Sequence, residues 1–200
     1  VCSSDLMDVG GLDQLIPFAV STAGDSPYGR AVSEVVAFAM LEIGRADIAS
    51  ELVGAFDVSS GFADDYMAVC CMTAAVHVRV SLGDRPAVDA IAHRLAPFSG
   101  RWAGAGTTPL SMGPTDLALA RALAMSGNVT DASAAFDRCV QQLETNEAYP
   151  WLARALVRQA QFSNEAGDAS AADAAADRAA ALADRFALVY VSRQLAQLVR

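Results

Sequence analysis

The sequence predicts an all-α chain, an α-solenoid of antiparallel helix hairpins with a period of about forty residues. Three observations lead there. The composition is 54% hydrophobic yet only 7% aromatic. Its apolar content is rich in alanine, which favours helices and leaves little for a sandwich built on large inward-facing side chains. A glycine recurs between two helical runs, at Gly44, Gly83, Gly127 and Gly167, with spacings of 39, 44 and 40 residues. Five and nine residues later stand Ala49 and Val53, Val88 and Ala92, Ala132 and Phe136, and Ala172 and Ala176. These four-residue steps keep small and apolar side chains on one face of the second helix, where it meets the first.

The elements follow in chain order. Val1 to Leu6, "VCSSDL", read as the codons GTG TGC TCT TCC GAT CT, match the end of a common sequencing-adapter oligonucleotide. Residues 1–6 are therefore set aside as an assembly scar, and on that reading the natural protein begins upstream. Residues 7–25 are irregular or a partial repeat, and 26–200 form the repeat domain. Ser26-Pro27 opens a helix, with serine as cap and proline in the first turn, and the helix runs to about Gly44. Helices then cover about 47–56, 63–82, 86–96, 114–126, 130–145, 149–166, 169–184 and 187–198. In "AVHVRVSLG", Val76, Val78 and Val80 alternate with polar residues as a strand would. The repeat puts a first helix there, and it outweighs the local alternation.

Charge and residue usage exclude several functions. The net charge is −9, the sequence pI is near 4.5, and all 14 basic residues are arginine. Without a basic patch the segment lacks the footprint for nucleic acid, and without lysine it holds no Walker A loop. Cys2, Cys70, Cys71 and Cys139 form no C-x-x-C pair and read as small buried hydrophobes of a reducing cytoplasm. Asn128-Val129-Thr130 is formally a glycosylation acceptor, but nothing else points to a secretory route. No stretch reads as a signal peptide or a membrane span, so no membrane contact is expected.

Candidate chemistry is sparse. His77 reads as a core residue and His93 as an exposed one. Neither sits in an H-E-x-x-H or beside a G-x-S-x-G nucleophile. Asp64-Asp65 read as carboxylates at a helix start rather than metal ligands. Asp168, Asp173, Asp177 and Asp184 read as a solvated helix face. No catalytic residue, metal set or cofactor is expected, and the chain is not expected to be an enzyme.

The stretch "LAPFSGRWAGAGTTPLSMGPTDLALARAL" carries Gly100, Gly104, Gly106 and Gly113 in one loop. A phosphate cradle would run its glycines straight into a helix N-terminus. Here Pro114 removes an amide at that point, so the loop reads as a connector between repeats. Trp102 beside Arg101 suits an interface hot spot, or else a bulky anchor folded onto the body. Trp151, in the first turn after Pro150, packs between neighbouring repeats.

The glycine with small or apolar residues five, nine and twelve positions later resembles the tetratricopeptide repeat. It departs in its longer period and in lacking that consensus's early tryptophan and tyrosine. A second resemblance covers about Val69 to Gly167. Leu95-Ala96-Pro97-Phe98-Ser99-Gly100-Arg101, Gly113-Pro114 and Pro150-Trp151-Leu152-Ala153-Arg154, in that order, resemble the C-terminal helical-repeat region of large bacterial signalling ATPases. These are found among LuxR-type transcriptional regulators and relatives coupled to cyclases or kinases. The resemblance implies a P-loop ATPase upstream and, in the LuxR type, a helix-turn-helix after the repeats. It implies that the repeats sense, autoinhibit or oligomerise, and nothing catalytic carries over. The expected function is a regulatory recognition segment whose partner is another protein, its own ATPase domain or a small effector, with self-association open. The alternative is a free-standing adaptor or self-association module. Arg101, Trp102, Trp151 and Arg154 are the expected partner- or effector-contacting residues.

Overall fold

A computed structural model of the chain describes residues 29–54, 67–104 and 111–198. The readings placed on residues 1–6 and 7–25, on Ser26-Pro27, on Asp64-Asp65 and on Gly106 lie outside the described residues. Those residues form nine α-helices: α1 (Gly29–Glu42), α2 (Ala46–Gly54), α3 (Ala68–Leu82), α4 (Arg85–Leu95), α5 (Thr115–Met125), α6 (Val129–Thr145), α7 (Tyr149–Glu165), α8 (Ala169–Phe186) and α9 (Val189–Leu198). The chain is mostly helical, as expected, and "AVHVRVSLG" lies in α3. Cys70 to Arg79 are all buried in that helix. A helix covered on every side has no polar face to mark its period, which is why its valines imitate a strand.

One turn geometry links successive helices. Gly44, Gly83, Gly127 and Gly167 are left-handed, with φ between 75° and 82°. The residue after each donates its amide to a carbonyl five positions back, as Asp84 does to Arg79 and Asn128 to Leu123. This closure satisfies the carbonyls a helix end leaves open. Asp84, Asn128 and Asp168 then cap the second helix by accepting from the amides of Ala87, Asp131 and Ala171. The links from α6 to α7 and from α8 to α9 close identically, but with Glu147 and Ala187 at φ 53° and 54°.

The first helices α1, α3, α5, α7 and α9 touch in series, and each packs on the helix that follows it in the chain where one is described. The main core runs from Val36 to Val191, and a smaller one gathers Cys71, Met72, Val88, Ile91 and Leu95. Cys70, Cys71 and Cys139 are buried, as read from the sequence. Burial pushes the Cys70 thiol to about 11 and Cys139 to about 12.

The glycine-rich connector adds the small amount of strand in an otherwise helical chain. It contains a two-stranded antiparallel sheet, β1 (Trp102–Gly104) with β2 (Ser111–Pro114), pairing Trp102 with Pro114 and Gly104 with Ser111. Gly113-Pro114 accordingly ends a strand, and α5 starts at Thr115. Ala103 and Met112 drive this hairpin into the core, where β1 and β2 meet α3, and β2 also meets α5.

Candidate functional site

The five first helices each place two side chains four residues apart around one polar hollow. They are Phe38 and Glu42 on α1, His77 and Ser81 on α3, Leu117 and Arg121 on α5, Arg154 and Arg158 on α7, and Tyr190 and Gln194 on α9. A four-residue step returns to the same helix face. Corresponding members of these pairs lie 36 to 40 residues apart in the chain, so the hollow repeats one structural position five times. Its larger part, which Leu117, Arg154 and Tyr190 do not line, holds about 170 Å³ and shares Ser81, Arg121, Arg158 and Gln197 with a wider groove of about 620 Å³, which Phe162 and Glu165 border.

Cations outnumber anions in the hollow. Glu42 is the one carboxylate lining it among the described residues. Arg154 Nη1 lies 3.2 Å from Glu42 Oε2, and Arg158 Nη2 lies 3.6 Å from Oε1. Arg158 also donates to Tyr190 Oη at 3.2 Å and to Gln161 Oε1 at 3.0 Å. The Arg154 guanidinium sits over the rings of Tyr190 and Trp151, 4.7 and 5.2 Å from their centroids, where the ring faces attract a cation. Burial, then the charge of Glu42, raises the Tyr190 hydroxyl far above the ordinary tyrosine range, so it stays protonated. Burial, then Arg158, pulls Arg121 below the usual arginine range, and it stays cationic at neutral pH.

His77 is 2% exposed. Its Nδ1 accepts from Arg121 Nη1 at 2.9 Å, which assigns the ring proton to Nε2. Nε2 is buried and has no hydrogen-bond partner among the described residues. Burial first, then the charges of Arg121, Arg158 and Arg154, hold the imidazole well below its ordinary pKa of 6.5. As pH falls through 6.5 the unfolded chain therefore takes up this proton before the folded one. The stabilisation is complete above pH 6.5 and is lost below it, by up to about 1.4 kcal/mol per pH unit. Urea unfolding between pH 7 and pH 5 is expected to show this slope in excess over His77→Gln. Parallel curves for the two proteins would refute it.

Three of the four expected contact residues form one column. Trp102 packs edge-on against Trp151, with centroids 6.4 Å apart, and the Arg154 guanidinium lies over the Trp151 ring. Trp102 is 41% exposed, and its Nε1 donates to Ser111 Oγ at 2.6 Å, so it is anchored yet still presents a face. Trp151 and Arg154 are buried, and both line the 20 Å³ inner crevice, with Glu42. Arg101 stands apart, exposed, over the Phe98 ring. Glu42, His77, Arg121, Arg158, Tyr190 and Gln194 were not among the expected contact residues. The signal that points to them is the recurrence of polar residues at spacings of 36 to 40 residues. His93 and the aspartates 168, 173, 177 and 184 are exposed, as expected.

The connector spends its own amides. Asp116 takes the Ser99 hydroxyl at 2.6 Å and the Gly100 amide at 2.9 Å, and Thr115 Oγ1 donates to the carbonyls of Phe98 and Arg101. The Gly100 amide, which a phosphate would need, is thus already bound by a carboxylate of the same chain. Asp116→Ala is expected to cost about 2 kcal/mol, since hydrogen bonds to a buried charge are the stronger kind. Urea unfolding checks this, and a loss indistinguishable from zero would show the loop to be held otherwise.

Among the described residues no group of three or more His, Cys, Asp or Glu side chains could hold a metal ion. No described helix is long and apolar enough to cross a membrane. Fold and site together define an all-α chain with an arginine-rich hollow spanning its first helices. Comparison with protein-family models, with curated proteins and with solved structures finds no match.

Proposed function

We propose that the chain is a tetratricopeptide-like α-solenoid that serves as the regulatory recognition segment of a larger bacterial signalling ATPase or transcription regulator, in the cytoplasm and without chemistry of its own. The observation that carries this reading is the hollow, which takes one side-chain pair from each of five first helices and so depends on how all five are stacked. A ligand held there favours one curvature of the stack over another, and its differential affinity for the two arrangements is what shifts a switch. The serial contact of first helices and the turn period near forty residues support the solenoid. The three ordered sequence motifs support the regulator. Long reads of the source DNA outward from both ends test the parent. An in-frame G-x-x-x-x-G-K-[ST] loop upstream is the expected result, while a start codon near Met7 with a stop after Arg200 would overturn it and leave an adaptor.

A further inference from the structure

We propose that the hollow binds a small dianion, a free molecule bearing carboxylate or phosphate groups, through Arg121, Arg158 and His77. The inference rests on reading the row of first helices as the recognition face, though not on any particular parent protein.

Two groups bordering the hollow lack the partner their chemistry calls for. Among the described residues every hydrogen bond of Arg121 goes to a neutral group: His77 Nδ1, the His77 carbonyl and Ser81 Oγ. Among the described residues its charge has no carboxylate within ion-pair distance, although a second guanidinium, Arg158, lines the same space. His77 Nε2 is a buried donor with no acceptor among the described residues. Buried donors are almost always satisfied, and a buried cation is stable when it is paired. Anionic oxygen answers both needs, because it accepts hydrogen bonds and carries the missing charge. Glu42 cannot do so alone, being already shared between Arg154 and Arg158.

Size and field narrow the class. About 170 Å³ equals the liquid volume of roughly five or six waters at about 30 Å³ each, enough for phosphate or a short dicarboxylate. The chain as a whole carries −9, so a long polyanion is repelled overall even where the hollow attracts. A dianion small enough to sit inside meets the local field only.

The test titrates the full chain, in chloride buffer at constant ionic strength, with inorganic phosphate, succinate and a tetraglutamate peptide, read by calorimetry and by melting temperature. Phosphate or succinate is expected to bind saturably at one site and to raise the melting temperature, with the peptide binding no tighter. Arg121→Gln is expected to weaken that binding about tenfold or more. The same variant, free of anion, is expected to melt at or above the wild type, because a repelling cation has gone. Arg101→Gln, outside the hollow, is the control and leaves binding unchanged. Absence of saturable binding by both small anions, equal binding by Arg121→Gln, or tighter binding of the peptide would each overturn the proposal. An upstream ATPase found alongside such a negative titration would leave the regulator standing and remove only the ligand.

Discussion

Glu42→Gln is expected to destabilise the chain by about 3–5 kcal/mol, the usual loss when one partner of a buried ion pair is removed. The Glu42 side chain is 6% exposed and Arg154 is 5% exposed, so water screens little of what the substitution uncovers. Glutamine keeps the size of the side chain and removes only its charge. Arg121 and Arg158 then line the hollow with no carboxylate beside them among the described residues. The opposite deletion is milder. Arg154→Met leaves Glu42 with Arg158, at 3.6 Å, and retains an unbranched stem to fill the space beside Trp151. Combining Glu42→Gln with Arg154→Met is expected to recover part of the loss, since a buried cation leaves along with its anion. Urea unfolding of the three variants gives the order directly. A Glu42→Gln protein within about 1 kcal/mol of wild type would mean that water, not Glu42, balances the arginines.

The helices and the turns between them were legible because their signals are local. A left-handed residue must end each first helix, and at Gly44, Gly83, Gly127 and Gly167 that residue is glycine. The matching links between pairs use Glu147 and Ala187, which no reader looking for glycine would find. The cost of a non-glycine residue there is of order 1–2 kcal/mol, small enough for the packing of α7 and α9 to outweigh it. The β1–β2 hairpin escaped notice for a different reason. Its strands are three and four residues long, too short to establish alternation, and it is held by Thr115 and Trp102 side chains rather than by a strand-forming sequence.

The site was legible only in part. Arg154 stood out because it follows Pro150-Trp151, yet Glu42, Arg121 and Arg158 each look, in sequence, like one solvated charge on an amphipathic helix. Only when α1, α3, α5, α7 and α9 are laid side by side do their polar residues fall at one position and face one space. Charge in this chain is therefore better read across neighbouring helices than along one of them. The same holds for the motifs. Gly113-Pro114 and Pro150-Trp151 stand 37 residues apart in sequence and meet in space, so their co-occurrence has a steric cause.

Gly113→Ala is expected to cost about 2–5 kcal/mol, and that meeting is the reason. Gly113 has φ +74°, and a Cβ built on it would come within 2.8 Å of three ring atoms of Trp151, Cδ2, Cε3 and Cζ3. The left-handed backbone alone costs a side chain about 1–2 kcal/mol. Overpacking adds about 1–3 kcal/mol when the neighbour cannot yield. Trp151 is badly placed to yield, being buried between Gly113, the edge of Trp102 and the Arg154 guanidinium. Gly127→Ala separates the two contributions, because Gly127 has φ +78° but open space where its Cβ would go. That variant is expected to lose only the backbone share. If the ring does move, it carries Arg154 with it, so Gly113→Ala is also expected to shift tryptophan fluorescence and weaken phosphate binding in the hollow, neither of which Gly127→Ala should do. Equal losses at Gly113 and Gly127 would show that the hairpin does not press on Trp151, and the link from glycine-rich connector to arginine cluster would then fail at its first contact.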